Sequence, residues 1–158
     1  MNQDFVELKI PAKPEYVGVV RLLISGVASR FGFSMDDIED IKLAVAEACT
    51  NATLHAYEGG DGKIIIGCTG YDDRLEIMVM DHGQSFDLEK TRLNLKPIDH
   101  TQSIDSITEG GLGLFLIESL MDDVQITGDG GVVISMTKFK RGNEVESDEQ
   151  SFKTTSSQ

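Results

Sequence analysis

Between Gly32 and the Gly59-Gly60 pair the chain runs without a single proline or glycine. Within that run Ile38, Ile41, Val45, Ala48 and Ala52 recur at the spacing of a helix turning about 100° per residue, so they form one apolar stripe. Ser34 is a good N-cap, and Asp36 and Asp37 fall in the first turn, where the helix dipole favours carboxylates. The spacing predicts a helix from Ser34 to about Tyr57. Glu47 and Asn51 are four residues apart, share a face, and sit at the edge of the stripe. Taken alone, this is the pattern of an ordinary amphipathic helix with solvated polar residues. It also sets a carboxylate and an amide side by side, where they could address a ligand lying across the helix.

The flanking segments say what this helix packs against. Phe5 to Ile10 partly alternates and stops at Pro11, which reads as a strand. Val17, Val20, Ile24, Val27 and Phe31 repeat at helical spacing, predicting a helix from about Glu15 to Phe31 that Gly32 closes. Lys63 to Tyr71 is rich in β-branched residues. The turn Asp72-Asp73 and the apolar run Arg74 to Met80 complete a hairpin. A short helix over Leu112 to Leu120 and two further strands, Val124–Thr127 and Val132–Phe139, follow. The order βααββ-loop-αββ indicates an α+β fold, a two-layer α/β sandwich: a mostly antiparallel mixed sheet with helices on one face. From Lys140 onward large apolar groups nearly vanish. Residues 1–140 are therefore expected to form one domain, and 141–158 a disordered, acidic and polar tail.

Composition narrows the function. A length of 158 residues suits a single domain with a sizeable core. No apolar run approaches the roughly 20 residues that span a bilayer, and the first residues lack a secretory pattern, so a cytoplasmic location is expected. A net charge of −13 argues against direct nucleic-acid binding, which requires clustered Lys and Arg. It suits a basic protein partner. Cys49 and Cys68 form no metal or disulfide pattern and read as small buried hydrophobes.

Three other stretches bear on chemistry. The strand ending at Met80 runs into Asp81-His82-Gly83; a carboxylate there could accept a hydrogen bond from an exocyclic amine, and glycine lets a flat ring approach. As a lone tripeptide it also reads as a turn, with His82 a turn residue. Gln84 to Glu109 is a connection far longer than the usual median of about five residues; Lys90, Arg92 and Lys96 make it locally basic, as a lid over phosphates would be. Gly110-Gly111-Leu112-Gly113-Leu114 then leads straight into a helix, whose first N–H groups can hold an anion. Neither a P-loop nor a dinucleotide-binding turn fits its context.

Together these pieces resemble the Bergerat-fold ATPase/kinase superfamily, which includes gyrase, the Hsp90 chaperones, histidine kinases and MutL. Within it the likeness is strongest to the small bacterial anti-sigma factors that are also serine-protein kinases. Glu47 to Tyr57 looks like their N box, Asp81-His82-Gly83 like the first glycine box, and Gly110 to Leu114 with Ile117 to Asp122 like the second. The likeness spans roughly residues 5 to 140. It implies ATP and Mg²⁺ as cofactors, Glu47 as general base, and Asn51 as Mg²⁺ ligand. Asp81 would read adenine, Gly83, Gly111, Leu112 and Gly113 would lie along the nucleotide, and Thr137 would support the adenine contact. It further implies an anti-anti-sigma factor as phosphorylation substrate, the stress-response sigma-B factor as bound partner, and a homodimer. One departure stands out: a related kinase carries Arg just before the second glycine box, where this chain has Glu109, so the phosphate contact of the lid does not transfer; Arg92 or Lys96 could substitute.

Two other readings compete. A nucleotide-gated sigma-binding protein without significant kinase activity needs no general base, yet Glu47 and Asn51 are both present. A histidine-kinase catalytic module would need a helical hairpin carrying a phosphoacceptor histidine, and His55, His82 and His100 have no such setting.

Overall fold

The computed structural model describes residues 3–57, 62–81, 96–97, 111–127 and 133–141. After strand β1 (Asp4–Pro11), a 3₁₀ turn over Pro14–Tyr16 leads into helix α1 (Val17–Arg30). The first turn of the predicted helix is thus the tighter form, with Pro14 at its start, where a missing N–H is harmless. Gly32 then adopts φ +85°, and the Phe33 N–H donates to the Ala28 carbonyl at 3.1 Å. This is a glycine stop that satisfies the last carbonyls of α1. Two residues on, Ser34 Oγ accepts the Asp37 N–H at 3.2 Å and opens helix α2 (Met35–Tyr57). The cap expected from sequence is the cap observed.

Strands β2 (Lys63–Gly70) and β3 (Arg74–Met80) form the predicted hairpin. Strand β4 (Lys96–Pro97), helix α3 (Gly111–Leu120), and strands β5 (Asp123–Thr127) and β6 (Val133–Phe139) complete the described chain. The sheet order is β1-β2-β3-β6-β5-β4. Every pairing among the described residues is antiparallel, so the sheet is more uniform than the mixed one expected. Within the long connection read as irregular, β4 pairs Lys96 with Ile126 and Pro97 with Gln125. Two residues carry no periodicity, so this edge strand left no signal.

The two-layer architecture follows from side-chain alternation along the strands. Ile10, Ile64, Ile66, Cys68, Leu75, Ile77, Val79, Ile134 and Met136 point to one face and share a core with Val20 and Ile24 of α1, Ile41, Val45 and Ala48 of α2, and Ile117 of α3. Helix α2 packs against both α1 and α3. The other face holds a second buried cluster of Ile65, Met78, Met80 and Val133. Burial on both faces explains why β2 and β3 read as near-continuous apolar runs rather than clean alternations. Among the described residues no helix is long and apolar enough to cross a membrane.

Candidate nucleotide site

Helix α2 is fixed to the core along its full apolar stripe, with Ile41, Val45 and Ala48 wholly buried. That leaves Glu47 and Asn51 half-buried on the adjoining edge. Around them the helix keeps its polar groups satisfied locally. Thr50 Oγ1 donates to the Ala46 carbonyl at 2.9 Å, and the buried Thr53 Oγ1 to the Cys49 carbonyl at 2.8 Å. Both hydroxyls are thus occupied by the helix itself. The side chains of Glu47 and Asn51 are the ones directed to the neighbouring element.

That element is the first turn of α3. A Cβ added to Gly113 would stand 3.0 Å from Asn51 Nδ2, 3.3 Å from Glu47 Oε2 and 3.4 Å from Asn51 Oδ1. The backbone of the Gly-rich turn therefore lies directly against both polar side chains, at a distance no larger residue shares without displacing them. The first N–H groups of a helix have no partner within it and sit at the positive end of its dipole. Gly111, Leu112 and Gly113 occupy those positions in α3. The arrangement brings a carboxylate and an amide beside a row of helix N-terminal donors, and such donors suit a phosphate group.

Asp81 follows β3 by one residue and is half-buried. By alternation it falls on the same face as Leu75, Ile77 and Val79, which is the face that carries the helices. Helix and strand residues predicted from separate parts of the chain thus reach one side of the sheet. Gly83, His82, Lys90, Arg92 and Glu109 lie outside the described residues. Lys96 is in strand β4 at the sheet edge rather than in an open loop.

Thr137 stands apart from Asp81 in the sheet. It pairs with Glu76, five residues along β3 from Asp81, and has the parity of Val133 and Ser135 on the face away from the helices. The β6 residue with access to the helix layer at that end is Lys138, which is buried and which sequence reasoning passed over. Its signal was a lysine inside an otherwise uncharged strand.

The far end of α3 is tied to β6. The Asp122 N–H donates to the Thr137 carbonyl at 2.9 Å, the Phe139 N–H donates to Asp122 Oδ2 at 2.7 Å, and Arg141 Nη2 to Asp122 Oδ1 at 3.1 Å. This corner turns the chain from α3 into β5 and so directs the Gly-rich start of α3 toward α2.

A magnesium ion is compatible with the groups present. No cluster of three or more His, Cys, Asp or Glu able to hold a metal occurs among the described residues. Mg²⁺ is commonly held by one or two protein oxygens together with phosphates and water. Asn51 Oδ1, beside the α3 N-terminus, is an oxygen donor of that kind.

Comparison with known proteins places the chain in a family. The histidine kinase-like ATPase domain family matches residues 10–138. The chain is 49% identical to the serine-protein kinase RsbW of Bacillus subtilis, over 93% of this chain and 92% of that one. It is 52% identical to RsbW of Oceanobacillus iheyensis over 98% of both, and 54% identical to RsbW of Halalkalibacterium halodurans over 90% of this chain and 88% of the other. The crystal structure of the RsbU and RsbW domains of a Mycobacterium tuberculosis protein superimposes with a TM-score of 0.62 at 22% identity, over 87% of this chain and 33% of that one, a likeness of fold. The chain belongs to the RsbW family of serine-protein kinases, within the histidine kinase-like ATPase domains.

Proposed function

We propose that this chain binds ATP between α2 and α3 and transfers its terminal phosphoryl group to a serine of a partner protein. The observation that carries the reading is the approach of Gly113 to Glu47 and Asn51, because it joins phosphate-binding backbone to a group able to accept a proton. Glu47 Oε2 orients the attacking serine hydroxyl and takes its proton as the serine oxygen bonds to the γ-phosphorus and ADP leaves. The N–H groups of Gly111, Leu112 and Gly113 face the phosphates, whose charge they meet with no reorganisation. Asp81 accepts a hydrogen bond from the adenine amine, and Gly83 lies beside the nucleotide. Asn51 Oδ1 would hold Mg²⁺, which when bound neutralises charge on the phosphate oxygens.

The protein substrate is an anti-anti-sigma antagonist, inactivated by phosphorylation, and the chain acts as an anti-sigma factor by holding sigma-B, in the cytoplasm and as a homodimer. The family membership and the acidic balance of the chain, −13 overall, support this reading, since an acidic surface steers basic partners. The test combines the purified chain with Mg-ATP and its antagonist and assays for phosphoserine. Transfer is expected. Sigma retention in the presence of ATP with no phosphoserine formed would instead make it a nucleotide-gated binding protein.

A further inference from the structure

Lys138 is only 4% exposed, an unusual place for an ammonium group, and nothing in the proposed chemistry uses it. It has the parity of Ile134 and Met136, so it projects from β6 into the helix layer. There its Nζ donates to the Leu120 carbonyl at 2.6 Å. It also stands 3.9 Å from Asp37 Oδ1 and 3.8 Å from Asp40 Oδ2. Leu120 is the last residue of α3, where carbonyls lack helical partners and the dipole is negative. Asp37 and Asp40 belong to the first turns of α2. One cation therefore bridges the end of one helix, the beginning of another, and the strand beneath both.

The ends it joins are opposite to the ends that meet at the site. Gly113, near the start of α3, lies against Asn51 and Glu47 in the second half of α2, so the two helices run antiparallel, in direct contact at one end and joined through Lys138 at the other. At 1.5 Å per residue, the Lys138 contacts are about 10 Å along α3 from Gly113 and about 10–15 Å along α2 from Glu47. Helices pinned at one end have their spacing at the other end set by that pin, because packed elements move as rigid bodies.

We propose that Lys138 is a positioning residue for the nucleotide site, holding the Gly-rich start of α3 at the distance from Glu47 and Asn51 that ATP requires. The inference rests on the nucleotide reading above and deepens it. An uncharged side chain of similar length in place of Lys138 frees the Leu120 carbonyl and leaves the two carboxylates facing each other. The first turn of α3 then shifts relative to α2, and the loss falls on nucleotide binding.

Mg-ATP titration of the full chain tests this, at a temperature well below the melting midpoint so that only folded protein is read. Lys138→Met is expected to weaken Mg-ATP affinity about tenfold, the size of effect that a small displacement of positioned groups produces. The KM for ATP rises in step while kcat at saturating ATP stays near wild type, and Lys138→Arg, which restores a cation, recovers most of the affinity. A lysine that merely stabilised the fold would lower the melting midpoint of Lys138→Met and leave its affinity unchanged, and that result would overturn the inference. Should Lys138→Met not fold, the double variant Asp37→Asn/Asp40→Asn removes the α2 half of the bridge from the surface side. Weakened Mg-ATP binding there supports the inference, and wild-type binding overturns it. A wild-type chain that binds no Mg-ATP would sink the nucleotide reading itself, a failure visible before any variant is made.

Discussion

Gly113 and Asn51 approach so closely that a Cβ on the glycine would stand 3.0 Å from the asparagine amide nitrogen. The constraint on this glycine is one of space, since a Cβ would press on the Asn51 and Glu47 side chains; no left-handed backbone is involved, the only positive-φ glycine among the described residues being Gly32. The contact couples the Gly-rich start of α3 to the polar edge of α2, and most of the functional consequences run through it.

Substitution at this point separates folding from function. Gly113→Ala places a methyl group against Asn51 and Glu47 while improving the intrinsic helix propensity by up to about 1 kcal/mol. Thermal stability should hold or rise slightly. ATP affinity should fall about tenfold or more, as expected when positioned groups are displaced. Isothermal titration beside a melting curve checks both, and unchanged affinity would remove Gly113 from the site.

A second glycine answers to packing alone. A Cβ on Gly70, at the end of β2, would lie 1.9 Å from the Phe31 ring, which packs against the core at the end of α1. Gly70→Ala should therefore force Phe31 aside and cost about 1–3 kcal/mol, the usual range for overpacking. Denaturant unfolding measures this. Because Gly70 is remote from α3, ATP affinity of the folded variant should be retained.

The buried thiols predict an alkaline limit to stability. Burial pushes Cys49 and Cys68 up from an ordinary value of 9.0 to about 12, with Cys68 adding to the effect on Cys49. A raised folded-state pKa means that below pH 9 both folded and unfolded thiols are protonated and the full contribution to stability is present. Between about pH 9 and pH 12 the unfolded chain loses its protons first, so stability falls as pH rises. Replacing both cysteines with alanine should flatten the fall of unfolding free energy over that window. The native thiols should also resist alkylating reagents at pH 8, reacting only as the chain unfolds.

How far the sequence foretold this structure depended on whether the signals were local. Ser34, Gly32 and Asp72-Asp73 act on their own neighbours, and the cap, the helix stop and the hairpin appear where they were expected. Glu47 with Asn51, and the Gly-rich turn, were legible as pieces because helix spacing and glycine content are local properties. Their contact was not, since Asn51 and Gly113 meet only through tertiary packing. The facing of the β6 residues was not legible for a related reason. Val133 to Lys138 is buried on both faces, so no alternation marks which residues face the helices. Lys138 would ordinarily be taken as the solvent-facing residue, which inverts the parity of the strand. Strand β4 was missed because its two residues owe their conformation to β5, not to their own sequence.

The central claim is that Glu47 accepts the serine proton within a site that binds ATP by other groups. The most direct measurement is phosphoserine formation on the antagonist by Glu47→Gln, with Mg-ATP binding measured on the same preparation. Glutamine keeps the shape and the hydrogen-bonding reach but cannot accept the proton, and a general base contributes about 10²–10⁴-fold to rate. The account predicts transfer reduced by at least about a hundredfold with ATP affinity close to wild type. Transfer at the wild-type rate by Glu47→Gln would contradict it.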